Sequence, residues 1–285
     1  KDDSGELKPT TDSTPIIRRL EKEYPDRKLL PEDPALSFIN YLLEDFGDEW
    51  VTKYMFHYRW HFEEDIDNAG TILPMVEFGP NIPDDALEQF KNAIIERQTE
   101  RLWVIGSSDI TAELIDASFR RFIKLMDDHL SVSKFLFGDK PSSADFAFYG
   151  QLTQLIGFDP TPRKIVCDVS KRLVAWVDVM ADLSGHDVEK SNWTSLEDSP
   201  STLKEIMKEF GRMYAPALLA NAEATKAGNK TWETEIDGSL WKQKTFSYQV
   251  KCLTWIRDEF NALSDEDKAR VKKYLVGTGC EALLD

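Results

Sequence analysis

Asp12 and Ser13 are residues whose types could hold a small charged ligand. They precede Thr14-Pro15, and a polar capping residue followed by an early proline predicts the start of a helix. The hydroxyl of Ser13, the free amides of the first turn and the positive end of the helix dipole together suit a small carboxylate, while Asp12 could pair with an ammonium group. In the bare sequence, helix capping is the commoner role for both residues.

His57, His61 and Glu64 are separated by four and three residues, so one helix face could present two imidazoles and a carboxylate to a metal ion. The pattern has no fixed fourth ligand, and histidines that pack or make polar contacts are far commoner than histidines that bind metal. Packing or polar contact is therefore the favoured role, and no metal site is predicted.

Cys167, Cys252 and Cys280 are the three cysteines of the chain. None stands in a local pattern that would stabilise a thiolate, so inert thiols are expected. Their odd number and wide spacing favour a reducing, cytoplasmic compartment over a disulfide framework.

Hydrophobic periodicity predicts a mainly helical chain. From Ala35 to Phe62 apolar and aromatic residues recur at steps of three and four, which indicates one long helix. Pro74, Pro80 and Pro83 predict an irregular segment after it. Other helices are predicted at 15–24, 84–103, 111–130, 142–152, 171–183 and 203–224, the last interrupted near Pro216, and two more close the chain, the second running from a Ser264 capping box to Gly277.

Three shorter features complete the predicted organisation. Asp237-Gly238 between two strand-like segments predicts a β-hairpin near 231–243. Gly5-Glu6-Leu7-Lys8 could form one short edge strand. The charged segment from Pro25 to Pro34, with its three prolines, predicts a linker.

The segment Gly138-Asp139-Lys140-Pro141-Ser142-Ser143-Ala144-Asp145 contains a capping box. Ser142 and Asp145 can exchange hydrogen bonds through their side chains and backbone amides, as the first and fourth residues of such a box do. Asp145 is therefore assigned a structural role, and its replacement is expected to destabilise the fold by about 1 kcal/mol or somewhat more.

Composition excludes several classes of function. The net charge of −16 opposes binding to nucleic acid or to an anionic membrane surface. With 41% hydrophobic residues the chain is globular, yet it has no apolar run of membrane-spanning length and no signal peptide. Because it begins at Lys1 without a methionine, the sequence is interpreted as a processed, trimmed or partly observed product.

Three segments, in order, resemble the glutathione transferase family. Asp12-Ser13 and the following Pro15-Ile16-Ile17-Arg18-Arg19-Leu20-Glu21 are similar to the element that holds the γ-glutamyl end of glutathione. Leu29-Leu30-Pro31-Glu32-Asp33-Pro34 resembles the interdomain linker. Gly138 to Asp145 resembles the capping box that begins the family's central buried helix.

The resemblance covers roughly residues 5 to 185 and implies a mainly α fold. It implies a remnant of a thioredoxin-like α/β domain at 1–30, a transferase C-terminal-like helical bundle at 31–185, and a helical extension with the β-hairpin at 186–285. The early strands of the thioredoxin-like domain, with the catalytic Tyr, Ser or Cys, have no counterpart in this sequence.

The function implied by the resemblance is glutathione conjugation, or a glutathione-dependent conversion, of a small electrophile, with glutathione as co-substrate. An enzyme is implied only if the missing N-terminal half exists in the full-length protein. Asp12 and Ser13 would bind glutathione, and Tyr54, His57, Tyr58 and His61 would line the electrophile pocket, although aromatic residues at helical spacing are more often core. A homodimer is implied. The alternative is a non-catalytic binding or assembly module, a subunit of a larger complex.

Overall fold

The computed structural model describes Gly5 and residues 9–285. Helices account for 68% of the chain, which confirms the prediction of a mainly helical protein. The helices are α1 (Ser13–Glu23), α2 (Pro34–Phe46), α3 (Thr52–His61), α4 (Glu63–Phe78), α5 (Asp84–Thr99), α6 (Ala112–Leu130), α7 (Ser143–Gly157), α8 (Pro160–Val169), α9 (Lys171–Ala181), α10 (Ser201–Lys226), α11 (Ser247–Asn261) and α12 (Asp265–Leu275).

The two strands form the hairpin that the sequence predicts. β1 (Thr231–Ile236) and β2 (Ser239–Lys244) pair antiparallel with Ile236 opposite Ser239. Asp237 and Gly238 both have positive φ, 50° and 76°, which a tight two-residue hairpin turn requires. The described residues contain no thioredoxin-like sheet, and the suggested edge strand at residues 5–8 lies outside them apart from Gly5.

The predicted long helix from Ala35 to Phe62 contains one irregular turn. Residues Gly47–Val51 form a π-helical turn that connects the end of α2 directly to the start of α3. A Cβ on Gly47 would lie 2.8 Å from Cβ of Ala147, so the missing side chain lets α2 approach α7 closely. Single π-helical turns in α-helices are frequent at functional sites.

Two predictions based on proline were wrong. The segment expected to be irregular contains α4, in which Pro74 is buried, and α10 continues through Pro216 without interruption. Each proline removes one backbone donor and costs about 3 kcal/mol in a helix interior. Around Pro216 the residues Ala215, Ala217 and Leu218 are buried, and packing of that face offsets the loss.

The core is rich in aromatic side chains contributed by helices distant in sequence. Phe46 on α2 lies 5.2 Å from Phe210 on α10, and Trp50 lies 5.4 Å from Trp241 on β2, measured between ring centroids. All four are at most 1% exposed. The hairpin and the C-terminal helices are therefore part of the same core as α2, α6, α7 and α10.

The capping box at the start of α7 is more deeply buried than its sequence indicates. The Asp145 carboxylate accepts hydrogen bonds from the amide and the hydroxyl of Ser142, both at 2.8 Å, and from the amide of Leu136 at 2.9 Å. Ser142 and Asp145 are both fully buried. Asp145 thus fixes the preceding loop as well as the helix start, and burial raises its pKa to about 6 despite these bonds.

Arg270 on α12 fastens the C-terminal helices to the beginning of α2. Its guanidinium donates to both carboxylate oxygens of Asp33, at 2.6 and 3.0 Å, and to Glu197 and Asp267. The same Asp33 carboxylate caps α2 through the amides of Ala35 and Leu36. Through its bonds to Asp33, Arg270 therefore joins the predicted linker to α12.

Within the described part of the chain, no helix is both long and apolar enough to cross a membrane.

Candidate functional site

A pocket of about 250 Å³ opens between α1, the α2–π-helical segment and α11. It is called the acidic pocket here because five of its twelve lining residues are Asp or Glu. Its lining residues are Asp12, Thr14, Pro15, Arg18, Tyr41, Asp45, Asp48, Glu49, Tyr248, Cys252, Trp255 and Glu259. A smaller cavity of about 180 Å³ adjoins it and shares Thr14, Arg18, Tyr41 and Glu259.

Asp12 and Ser13 lie at the edge of this pocket, at the start of α1. Asp12 accepts from the amide of Thr14 at 3.2 Å, so it caps the helix, and its second oxygen accepts from the Tyr248 hydroxyl at 3.4 Å. The Ser13 hydroxyl donates to Asp48 at 3.3 Å. Both residues are exposed and open to solvent.

The backbone of Asp12 is strained. Its φ is 81° and its ψ is 129°, a combination that residues with a side chain adopt rarely. Such strain costs of order 1–3 kcal/mol and occurs preferentially at ligand-binding positions. Asp12 is also one of the two residues for which ligand binding was considered beside helix capping.

Three carboxylates stand together behind Asp12: Asp45, Asp48 and Glu49. Burial raises the pKa of each of them, and the charges of neighbouring carboxylates raise those of Asp45 and Asp48 further. The pKa of Asp48 reaches about 7, with Glu44 and Glu49 as the raising neighbours. Oδ2 of Asp45 is buried, and the hydroxyl of Tyr214 lies beside the Asp45 carboxylate.

Few cations balance these carboxylates. Arg18 lines the acidic pocket but is paired with Glu259 at 2.7 Å. Lys53 is buried next to Glu49, and burial lowers its pKa. The acidic pocket therefore favours a ligand that brings positive charge, and the rings of Tyr41, Tyr248 and Trp255 suit an ammonium group through cation–π attraction.

Cys252 is the cysteine of the acidic pocket. Burial and the carboxylates of Asp45 and Glu49 raise the pKa of its thiol, and it is 1% exposed. A thiol in this environment stays protonated at neutral pH. Cys252 therefore lines the pocket and does not act as a nucleophile.

The shifted pKa of Asp48 makes a testable contribution to stability. Because its folded-state pKa is raised from 3.8 to about 7, the folded protein binds this proton more tightly than the unfolded chain does. The resulting stabilisation is complete below pH ~4 and is lost as the pH rises through ~7. We expect Asp48→Asn to be more stable than the parent by about 1–2 kcal/mol at pH 8, and to lose less stability between pH 5 and pH 8. Urea unfolding at several pH values in that range measures both quantities. If the unfolding free energy of Asp48→Asn depends on pH as strongly as that of the parent, this account is contradicted.

Tyr54 and Tyr58, predicted to line a substrate pocket, are packed inside the protein. They are 1% and 0% exposed. The Tyr54 hydroxyl lies 2.6 Å from the Ser118 hydroxyl and accepts from the Trp50 indole at 3.0 Å, while Tyr58 donates to Asp116 at 2.5 Å. The structure differs from the sequence-based expectation here: neither side chain offers a surface to a ligand.

His57 and His61 stack on each other with ring centroids 4.6 Å apart. His57 is fully buried, its Nδ1 lies 2.8 Å from the Ser107 hydroxyl, and burial together with His61 lowers its pKa to about 3. Glu64 belongs to the next helix, α4, beyond the break at Phe62. Within the described residues, no group of three or more His, Cys, Asp or Glu side chains is arranged so that it could hold one metal ion.

The acidic pocket includes residues that the sequence analysis did not identify, chiefly Asp45, Asp48, Glu49 and Tyr248. A local signal for the first three exists: carboxylates at i, i+3 and i+4 share one face of an otherwise buried helix. Tyr248 has no such signal, because it reaches Asp12 across 236 residues of sequence.

A family model described as "Glutathione S-transferase, C-terminal domain" matches residues 92–178, which extend from α5 into α9. No curated protein and no solved structure matches the chain significantly.

Proposed function

We propose that the chain, whose residues 92–178 match the glutathione S-transferase C-terminal domain, is a transferase-like protein whose acidic pocket holds the γ-glutamyl end of glutathione. The observation that supports this most is the strained Asp12 at the start of α1, next to Ser13 and above the carboxylates of the pocket.

A γ-glutamyl group carries an ammonium and a carboxylate on the same carbon, and the site offers complementary partners for both. The first-turn amides of α1 and the Ser13 hydroxyl suit the carboxylate. Asp12 and Asp48 suit the ammonium, and binding would separate Asp48 from the Ser13 hydroxyl that now donates to it. The glycine carboxylate of glutathione must lie outside, because the acidic pocket repels it.

We assign residues 1–30 to the end of a thioredoxin-like domain, 31–185 to the helical domain and 186–285 to an extension. In the proposed reaction the glutathione thiol loses its proton, its sulfur bonds to an electrophilic carbon, and a leaving group departs with the electron pair of its bond to that carbon. Asp12 and Ser13 bind glutathione in this scheme, and a different group lowers the pKa of the thiol. A homodimer in a reducing compartment and a small electrophile belong to the same proposal.

The burial of Tyr54 and Tyr58 favours a second candidate, a non-catalytic binding module. Tyr54, Tyr58 and also His57 are buried and hydrogen-bonded inside the protein, so three of the four side chains predicted to line the electrophile pocket are closed to a ligand. A module of this kind would bind glutathione, or a γ-glutamyl peptide, without consuming it.

Calorimetric titration with glutathione tests the proposal. We expect one site per chain, retained with S-methylglutathione and weakened at least about tenfold with N-acetylglutathione, which lacks the ammonium. Asp12→Asn should weaken glutathione binding about fivefold, since Asn tolerates positive φ and removes only the charge. Ser264→Ala removes the N-cap of α12 and serves as the matched control with unchanged affinity.

Absence of glutathione binding, or equal binding of the N-acetylated form, would overturn the proposed site. The two candidate functions separate in a conjugation assay with 1-chloro-2,4-dinitrobenzene. A rate above the uncatalysed background supports the transferase, and binding without such a rate supports the module.

A further inference from the structure

A third cavity, called the basic cavity here, lies on a different part of the helical domain. It is formed where the segment after α1, the loop before α7 and the loop after α9 meet. Its lining residues are Arg27, Lys28, Leu29, Lys140, Pro141, Phe146, Leu183, His186 and Val188. None of them lines the acidic pocket.

The charge of this cavity is opposite to that of the protein. Three of its nine lining residues are Arg or Lys and none is acidic, although the chain carries a net charge of −16. Lys28 is paired with Glu32 at 2.5 Å. Arg27 and Lys140 form no ion pair with any described residue, and Lys140 instead places its ammonium 4.1 Å from the ring centroid of Trp193. Neither of these two positive charges is therefore neutralised by a carboxylate of the described residues.

The pKa of His186 is sensitive to the positive charges around the basic cavity. Its Nδ1 lies 3.5 Å from the Lys134 ammonium, which can only donate, and its Nε2 lies 3.1 Å from the Ser191 hydroxyl. Burial lowers the pKa of His186, and the positive charges of Lys134, Lys140 and Arg27 lower it further, against a raising effect of Asp187. The ring is therefore neutral at pH 7 and faces three cations.

The interior of the basic cavity is apolar. Leu29, Pro141, Phe146, Leu183 and Val188 supply five of the nine lining residues. Its volume is about 220 Å³, and an apolar cavity of about 150 Å³ is enough to hold benzene. One aromatic ring with a short side chain fits this space.

We propose that the basic cavity binds a small aryl carboxylate, with the ring against Phe146 and Leu183 and the carboxylate between Arg27 and Lys140. An apolar floor with cations at its rim matches both ends of such a molecule, and a neutral or cationic aromatic compound would leave the cations unpaired. This site is independent of the proposed glutathione site.

Titration of the chain with three matched probes, phenylacetate, phenylacetamide and phenethylamine, tests the proposal. We expect phenylacetate to bind with one site per chain, phenylacetamide about tenfold more weakly, and phenethylamine not at all. Lys140→Gln and Arg27→Gln should each weaken phenylacetate binding about fivefold, and higher salt should weaken binding to the parent. Lys226→Gln, which removes an exposed cation outside the cavity, is the control with unchanged affinity.

The imidazole of His186 provides a readout that a non-specific interaction would not give. A bound carboxylate offsets the surrounding cations, so the His186 pKa measured by NMR should rise with phenylacetate and should stay constant with phenylacetamide. The proposal is overturned if phenylacetamide binds as tightly as phenylacetate, if the two cation variants bind like the parent, or if the His186 pKa does not move. Because the two sites share no lining residue, glutathione should not compete with phenylacetate.

Discussion

Asp145→Ala is expected to lower the free energy of unfolding by about 3–5 kcal/mol. The substitution leaves the amides of Ser142 and Leu136 without their acceptor in a fully buried site, and each unsatisfied buried donor costs about 1–3 kcal/mol. The sequence alone predicts about 1 kcal/mol for the loss of a helix cap. Urea unfolding at pH 7 distinguishes the two values.

Ser264→Ala is the matched control for this prediction. Ser264 caps α12 through the amide of Asp267, but in an exposed position where water replaces the lost bond. We expect it to cost about 1 kcal/mol. If Asp145→Ala lowers the free energy of unfolding by no more than Ser264→Ala does, burial of the capping box does not add the stability that we attribute to it.

Arg59→Met is expected to destabilise the protein by a similar amount, about 3–5 kcal/mol. Arg59 on α3 donates two bonds to Asp159, at 2.9 and 3.0 Å, and one to Gln154. Asp159 is completely buried, so removal of the guanidinium leaves an uncompensated charge in the core. Thermal unfolding should show a lower midpoint, and lowering the pH should restore part of the difference because it neutralises Asp159.

Two further variants separate charge from packing. Arg59→Met combined with Asp159→Asn removes both charges and should recover part of the lost stability. Arg120→Met breaks an exposed pair with Asp116 on α6 and should cost under about 1 kcal/mol. A double variant as unstable as Arg59→Met would show that lost packing, and not the unpaired carboxylate, dominates.

Local signals predicted much of the secondary structure. Turn chemistry at Asp237-Gly238 fixed the hairpin, and the capping box at Ser142 fixed the start of α7, because both depend on residues within four positions. Helix α8 was missed, since its only strong signals are Asp159 and Pro160 at its start. Pro74 and Pro216 misled the prediction because burial of the surrounding helix faces outweighs a local penalty.

The candidate site was predicted less well than the fold. Asp12 and Ser13 lie at a pocket, but the sequence did not indicate that the other wall of that pocket comes from α11. The spacing of Tyr54 and Tyr58 predicts that they share one helix face, but it does not predict which part of the protein packs against that face. Ser118 and Asp116 on α6 occupy that position, and no pattern within α3 contains this information.

The contact between Arg270 and Asp33 also has a consequence during synthesis of the chain. The two residues are 237 positions apart, and at about 5–20 residues per second the ribosome needs roughly 10–50 s to pass from one to the other. During that interval the cap of α2 lacks its guanidinium partner, and the apolar surface that α12 covers stays exposed. The nascent helical domain therefore exposes this surface to aggregation, proteolysis and chaperone binding until α12 has been made.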